Sequence, residues 1–229
     1  MLRIGAAAGT TDIVATPHAN LEFTFDPDVV RGKVAELRDA AGDQPRIHHG
    51  CDFHLSFDNI QDAIAHPDKY TVNNRSYLLV EFSDLLIFKN SGEILDMLLN
   101  AGMVPIVTHP ERNFLLQQRL AELEEWASKG CLLQVTGQSL LGRFGKHAQK
   151  FSETLLERGL VHFIASDAHD PEDRTPDLSA PFQWITERCG PEWAELLFVT
   201  NPGRVLEGEP IPADPGLAPP QPRKWYRFW

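Results

Sequence analysis

Cysteine is scarce in this chain: Cys51, Cys131 and Cys189 are the only three, widely separated and without a CxxC pair. That spacing leaves neither a disulfide framework nor a thiolate zinc site, and the reducing cytoplasm is the expected compartment. Positive charge is also short. Lys and Arg total 21 against 32 Asp and Glu, a formal charge of −11, which suits metal cations and excludes a nucleic-acid backbone as partner, because that binding depends on basic residues neutralising phosphates. No run approaches the roughly 18 apolar residues of a membrane span. The opening MLRIGAAAGTTDIV lacks the basic start and long apolar stretch of an export signal. The expectation is a protein that is neither exported nor inserted in a membrane.

What is present reads as one globular core. The chain has 229 residues, 42% hydrophobic and 23% charged, and nothing rich in Pro, Gly and Ser interrupts it before about residue 208. Short apolar runs bounded by turn residues predict buried strands over Asp12–Ala15, Arg46–Gly50, Tyr77–Phe82, Val104–Thr108, Cys131–Thr136 and Val161–Ser166. Helical patterns lie between them, over Pro27–Ala41, Asn59–His66, Ser91–Asn100, Leu115–Lys129 and Phe144–Arg158. Such alternation predicts a parallel sheet with helices outside it. The chain opens in what reads as the end of a helix, Met1–Ala8, stopped by Gly9 and with no strand before it. The expectation is therefore a βα fold lacking its first strand, a domain over 1–208, and a Pro-rich, basic-aromatic tail over 209–229 that is disordered.

The chemically capable residues gather at the carboxyl ends of the expected strands. His18 follows DIVAT, Asp52 follows IHHGC, Glu81 ends YLLVE, His109, Glu111 and Arg112 follow VPIVT, and Asp167 and His169 follow VHFIAS. In a parallel α/β barrel the βα loops converge at that end and carry the active site. Carboxylate and imidazole without cysteine suit Zn, Mn or Fe. Unpaired carboxylates at the ends of Glu81's and Asp167's apolar strands would be costly. Two ions would activate a bridging water and clamp both oxygens of an in-line phosphoryl displacement. Arg112 and Arg174 offer guanidinium forks that match phosphate oxygens. His48, His49, His66, His147 and His162 read as ordinary surface or core histidines, and His54, two residues past Asp52, is left open. The stretch GQSLLGRF imitates a phosphate loop at Gly137 and Gly142 but lacks the Lys-Ser/Thr pair, so it reads as a loop and helix start.

The ordered set ATPH, GCDFH, VEF, THPER, TGQSLLGRFG, ASDAH and NPGRVL, spanning Asp12–Leu206, resembles the manganese-dependent PHP-superfamily protein-tyrosine phosphatases of bacterial capsule and exopolysaccharide biosynthesis. The resemblance implies a distorted PHP-type (β/α)7 barrel, here without its first strand. It implies metal ligation by His18 with His169, by Glu81 and His109 with Asp52 shared, and by Asp167 with Asp52, while Arg112 and Arg174 bind the phosphoryl group. It further implies two or three ions, Mn2+ first with Fe or Zn also suitable, and a phosphotyrosine-containing bacterial tyrosine kinase as partner and substrate. Two features depart from the pattern. The family opens with a strand ending in His-x-His, absent here, which implies fewer ions in this chain, and many relatives carry Glu where this chain has Asp52. None of the three cysteines has an Arg six residues on; Phe57, Gly137 and Glu195 stand there, which excludes a thiol mechanism. Two alternatives stay open: a small-molecule phosphomonoesterase resembling histidinol phosphatase, and a catalytically impaired protein that binds phosphate and metal.

Overall fold

The computed structural model describes residues 1–20, 22–42, 44–213 and 216–217. A short helix α1 (Leu2–Ala7) leads into β1 (Asp12–Ala15), which resumes as β2 (His18–Ala19) after Thr16 and Pro17. In the same way β3 (Arg46–His49) resumes as β4 (Asp52–His54) after Gly50 and Cys51. Backbone hydrogen bonds from Gly50 N to Ala15 O (2.9 Å) and from Asp52 N to Pro17 O (3.0 Å) carry the pairing across the interruption. The break has a steric cause. Pro17 has no N–H to contribute, and at Gly50 a Cβ would stand 3.0 Å from Val14 Cγ1 and 3.3 Å from Thr16 Cγ2, so the close approach needs glycine.

The remaining strands, β5 (Tyr77–Glu81), β6 (Val104–Thr108), β7 (Leu132–Thr136) and β8 (Phe163–Ala165), extend the ladder in the order β2-β4-β5-β6-β7-β8. Every pairing is parallel, so all carboxyl ends share one side. Parallel strands buried on both faces should be nearly continuous apolar runs, and Leu78, Val80, Val107, Leu133, Val135 and Ile164 are accordingly buried. The fold is a mixed α/β fold with parallel sheets. Among the described residues no hydrogen-bonded pairing joins β8 to β1 or β2, so the expected barrel closure is not present as a continuous ladder.

The helices α2 (Pro27–Ala41), α3 (Phe57–Ala65), α4 (Ser91–Asn100), α5 (Leu120–Ser128), α6 (Gly137–Leu140) and α7 (Gly145–Glu157) fill the connections. Their starts are chemically specified where the chain supplies caps. Asp26 accepts from Asp28 N and Val29 N, with Pro27 in the first turn of α2, and Ser56 accepts from Asn59 N at α3. Leu95, Leu98, Leu123, Trp126, Leu155 and Leu156 project into the core, where Trp126 stacks on Phe82 with centroids 5.2 Å apart. Three helices lie beyond the sequence reading: α8 (Ser179–Cys189), α9 (Pro191–Glu195) and, after a π-helical turn over Leu196–Thr200, α10 (Asn201–Glu207). Prolines at positions 181, 191 and 202 obscure the helical pattern, yet each stands in a first turn, where its missing N–H costs nothing. The expected disorder of the tail falls largely on residues outside those described.

Candidate active site

Register places four metal-capable side chains together. His18 pairs with Asp52 across β2 and β4, and His54 pairs with Glu81 across β4 and β5. Because strand side chains alternate, Asp52 and His54 point to one face, while Phe53 between them is fully buried in the core. His18 Nδ1 lies 2.9 Å from Asp52 Oδ2 and 3.5 Å from Glu81 Oε2. His54 Nε2 lies 2.6 Å from Glu81 Oε2 and 3.3 Å from His18 Nδ1. One ligand atom from each of the four falls within 4.8 Å of the others. His109 adjoins this group, its Nε2 being 3.3 Å from Glu81 Oε1.

Asp167 forms a second focus. Its Oδ2 accepts from both Arg112 Nη1 and Arg174 Nη2, and His169 Nδ1 sits 3.0 Å from its backbone oxygen and 3.8 Å from Oδ1. The rings of His18 and His169 are 6.4 Å apart and link the two foci. Phe144 backs the arginines, with the Arg112 guanidinium 4.3 Å and that of Arg174 5.9 Å from its ring centroid. A tight turn brings Arg174 back toward Asp167: Asp170 Oδ1 accepts from Glu172 N and Asp173 N, and His169 N donates to Arg174 O at 2.8 Å. His109 (φ 34°) and Asp167 (φ 48°), each just past a strand, adopt left-handed backbone. That conformation is unfavourable for residues with a Cβ and is held by its surroundings, a pattern common at functional sites.

The charges inside the site are not balanced by protein groups. Burial, with Glu81 close by, pushes the Asp52 carboxyl up to about 9. Burial also opposes ionisation of Glu81, but the nearby His109 and His54 rings and the Asp52 carboxyl outweigh it and hold that carboxyl well below the usual range. Two carboxylates cannot both ionise here without further positive charge. Asp52 Oδ1 has no hydrogen-bond partner, and neither has Glu81 Oε2, although His54 Nε2 lies 2.6 Å from it. Buried acceptors in that state are costly unless a cation meets them, and His/Asp/Glu donors suit a borderline divalent ion such as Mn, Fe or Zn. Arg174 Nε is likewise buried and unpartnered, leaving a donor for an anion.

The structure thus brings His18, Asp52, Glu81 and His109 into one group and Asp167, His169, Arg112 and Arg174 into its neighbour. His54 belongs with the first group, and the alternation in CDFH is the signal for it. Glu111 turns away: fully buried, its Oε1 accepts from Ser139 Oγ (2.7 Å) and Thr136 N (3.0 Å), tying the loop after β6 to the start of α6. Gly137 is packed rather than phosphate-facing, since a Cβ there would lie 2.9 Å from Leu178 and Pro181. Four of the histidines set aside have structural partners: His48 pairs with Asp12, His49 with Asn74, His66 with Asp62, and half-buried His162 accepts from Leu133 N. Burial pushes the thiols of Cys131 and Cys189 up to about 12 and about 11, and raises Cys51 further, against any thiolate role.

Residues 1–207 match the family described as "Capsular polysaccharide synthesis, CpsB/CapC". The chain is 31% identical over 232 residues to CapC of Staphylococcus aureus, covering 99% of this chain and 89% of that protein. It is 29% identical over 236 residues to the tyrosine-protein phosphatase YwqE of Bacillus subtilis (strain 168), covering 100% and 91%. With the tyrosine-protein phosphatase CpsB of Streptococcus pneumoniae it shares 26% identity over 207 residues, covering 86% and 85%. A solved structure described as "Crystal structures of YwqE from Bacillus subtilis and CpsB from Streptococcus pneumoniae, unique metal-dependent tyrosine phosphatases" resembles this fold with a TM-score of 0.84 at 28% identity, over 98% of this chain and 90% of that one.

Proposed function

The chain belongs to the CpsB/CapC family of capsular polysaccharide synthesis, and from that premise we propose that it is a metal-dependent tyrosine-protein phosphatase. The observation that carries the reading is the meeting of two half-buried carboxylates, Asp52 and Glu81, each with a buried oxygen that has no hydrogen-bond partner, with two guanidinium groups that bond the neighbouring Asp167. His18, Asp52, His54, Glu81 and His109 would hold metal on one side, and Asp167 and His169 on the other. Manganese is the expected ion, with iron and zinc compatible with the same donors. A metal held by these residues would supply Lewis acidity to activate water and charge stabilisation for the phosphoryl oxygens. Arg112 and Arg174 turn from Asp167 to the phosphoryl group, binding its oxygens in both ground and transition states. Phe144 keeps their planes oriented, and Asp170 keeps the Arg174 loop closed.

The substrate in this reading is a phosphotyrosine-containing bacterial tyrosine kinase, dephosphorylated on its tyrosine-rich tail in the cytoplasm. Among the described residues no helix is long and apolar enough to cross a membrane. The fold reading that goes with this function is a distorted PHP-type (β/α)7 barrel. The approach of its two ladder edges supports it, since His18 on β2 and His169 after β8 have ring centroids 6.4 Å apart. The test is turnover of a phosphotyrosine peptide and of histidinol phosphate by the purified protein, with manganese or with chelator. Manganese-dependent release of phosphate from the peptide is expected. Preference for histidinol phosphate would make this a small-molecule phosphomonoesterase, and peptide binding without turnover would make it a binding protein.

A further inference from the structure

The three large hydrophobic side chains most exposed in the described chain are Leu85 (92%), Phe57 (76%) and Phe114 (67%). All lie on the carboxyl side of the sheet: Phe57 three residues after β4, Leu85 four after β5, Phe114 six after β6. Leu86, Phe88 and Phe23, also exposed, lie on the same loops or on the loop after β2. Strands β2, β4, β5 and β6 are consecutive neighbours in the parallel ladder, so these loops stand side by side along the rim that carries His18, Asp52, Glu81 and His109. Scattered exposed apolar residues are ordinary, whereas several on neighbouring connections at the rim of one candidate site point to a contact surface.

Anchored turns present these side chains. Phe82 and Ile87, on either side of Leu85 and Leu86, are buried, and Leu85 N donates to Ser83 Oγ at 3.1 Å. Buried Asn113, between Arg112 and Phe114, donates to Phe82 O (3.2 Å) and Ser83 O (3.1 Å) and accepts from Leu115 N and Leu116 N. It fastens the loops after β5 and β6 together and ties Phe114 to the arginine that faces Asp167. At the other end Asn59 Nδ2 donates to Ala19 O (2.8 Å) and His54 O (3.0 Å), joining the loops after β2 and β4. Asn20 Oδ1 accepts from Phe23 N at 2.9 Å and fixes that turn.

We propose that this rim, Phe57, Leu85, Leu86 and Phe114 above all, is the docking surface for the polypeptide on either side of the phosphotyrosine, selecting segments with apolar or aromatic neighbours. The proposal rests on the phosphatase reading and deepens it. Continuity with the phosphoryl site selects the occupant: Phe114 is two residues from Arg112, Phe57 three from His54 and Leu85 four from Glu81. The charge of the rim selects its flanking residues. Glu22 and Asp84 are exposed on these loops and Asp58 in the first turn of α3, against one exposed cation there, Lys89, on a protein of net charge −11, so acidic flanks are disfavoured and contact beyond the phosphate falls to apolar area.

The experiment compares the parent with Leu85→Ser/Leu86→Ser and with Phe114→Ser. Two readouts are taken: binding of a peptide carrying a non-hydrolysable phosphotyrosine mimic between aromatic residues, and kcat and KM on the corresponding phosphopeptide and on p-nitrophenyl phosphate. Removing apolar area of this size should weaken peptide binding and raise peptide KM by roughly tenfold, with kcat and the small ester changed less than about twofold. A peptide with acidic flanks should bind more weakly than the aromatic one in the parent. Equal peptide binding by parent and variants, or equal losses on both esters, overturns the proposal. So does a concentration-dependent dimer of the parent that the same substitutions abolish, which would assign the rim to self-association. If the parent turns over neither ester, the phosphatase reading falls and the binding measurement alone decides the rim.

Discussion

Two aspartates on adjoining strand rows meet opposite fates. Asp12 on β1 and Asp52 on β4 are similarly shielded, with side chains 18% and 14% exposed, and each touches a histidine. Asp12 accepts from Arg46 Nε and Nη2, from Thr11 Oγ1 and from the His48 ring. Burial works against its charge, yet those bonds hold its carboxyl down at about 2. Asp52 lies deeper, faces Glu81, keeps one oxygen without a donor and is pushed up to about 9. The same residue type thus serves as a completed ion pair at one place and as an incomplete one farther along the adjoining row. The first stabilises the sheet; the second calls for a cation.

Three substitutions break this comparison at different points. Asp52→Asn, nearly isosteric, should lower metal-dependent phosphotyrosine hydrolysis by at least about a thousandfold, because neutralising a proposed metal ligand removes charge stabilisation at the reacting phosphate; steady-state kinetics at saturating manganese measures it. Arg112→Ala should lower kcat/KM by about a hundredfold, the scale of losing a transition-state donor, while manganese still raises the melting temperature. Asp12→Ala should cost about 1 kcal/mol in urea unfolding, modest because solvent screens a pair of this exposure, and leave turnover unchanged. Its pH signature is the sharper test. The contribution of Asp12 is fully present above its ordinary value of 3.8 and is lost as pH falls through about 2, so the stability gap between parent and variant should close over that window.

Much of this is legible in the sequence. The apolar runs read over Asp12–Ala15 and Val104–Thr108 match β1 and β6, and that over Tyr77–Phe82 overshoots β5 by one residue; β1 is half-buried rather than buried. That His18, Asp52, Glu81, His109, Asp167 and His169 share one side of the sheet follows from parallel pairing, whereas the closeness of His18 to His169 also needs the two ladder edges to approach. Partner choice was not legible. Whether His54 or Glu111 joins the site depends on register and on the turn after β6, and register sent His54 inward with Glu81 while the turn sent Glu111 toward Ser139. Nor could the sequence pattern show both guanidinium groups on Asp167, because the Asp170 turn that returns Arg174 is held by local hydrogen bonds with no apolar period. Helices α8 to α10 were hidden by prolines that the first turn of a helix tolerates.

The central claim is that the group around Asp52 holds a divalent cation while its counterpart around Asp12 holds none. Manganese titration of chelator-treated protein, followed by calorimetry at neutral pH, tests it on the parent, on Asp52→Ala/Glu81→Ala and on Asp12→Ala. At least one tightly bound equivalent is expected in the parent and in Asp12→Ala, with affinity rising with pH as the ligands shed protons, and none of comparable affinity in the double variant. Manganese bound as tightly by the double variant as by the parent, or lost on Asp12→Ala, would contradict the account.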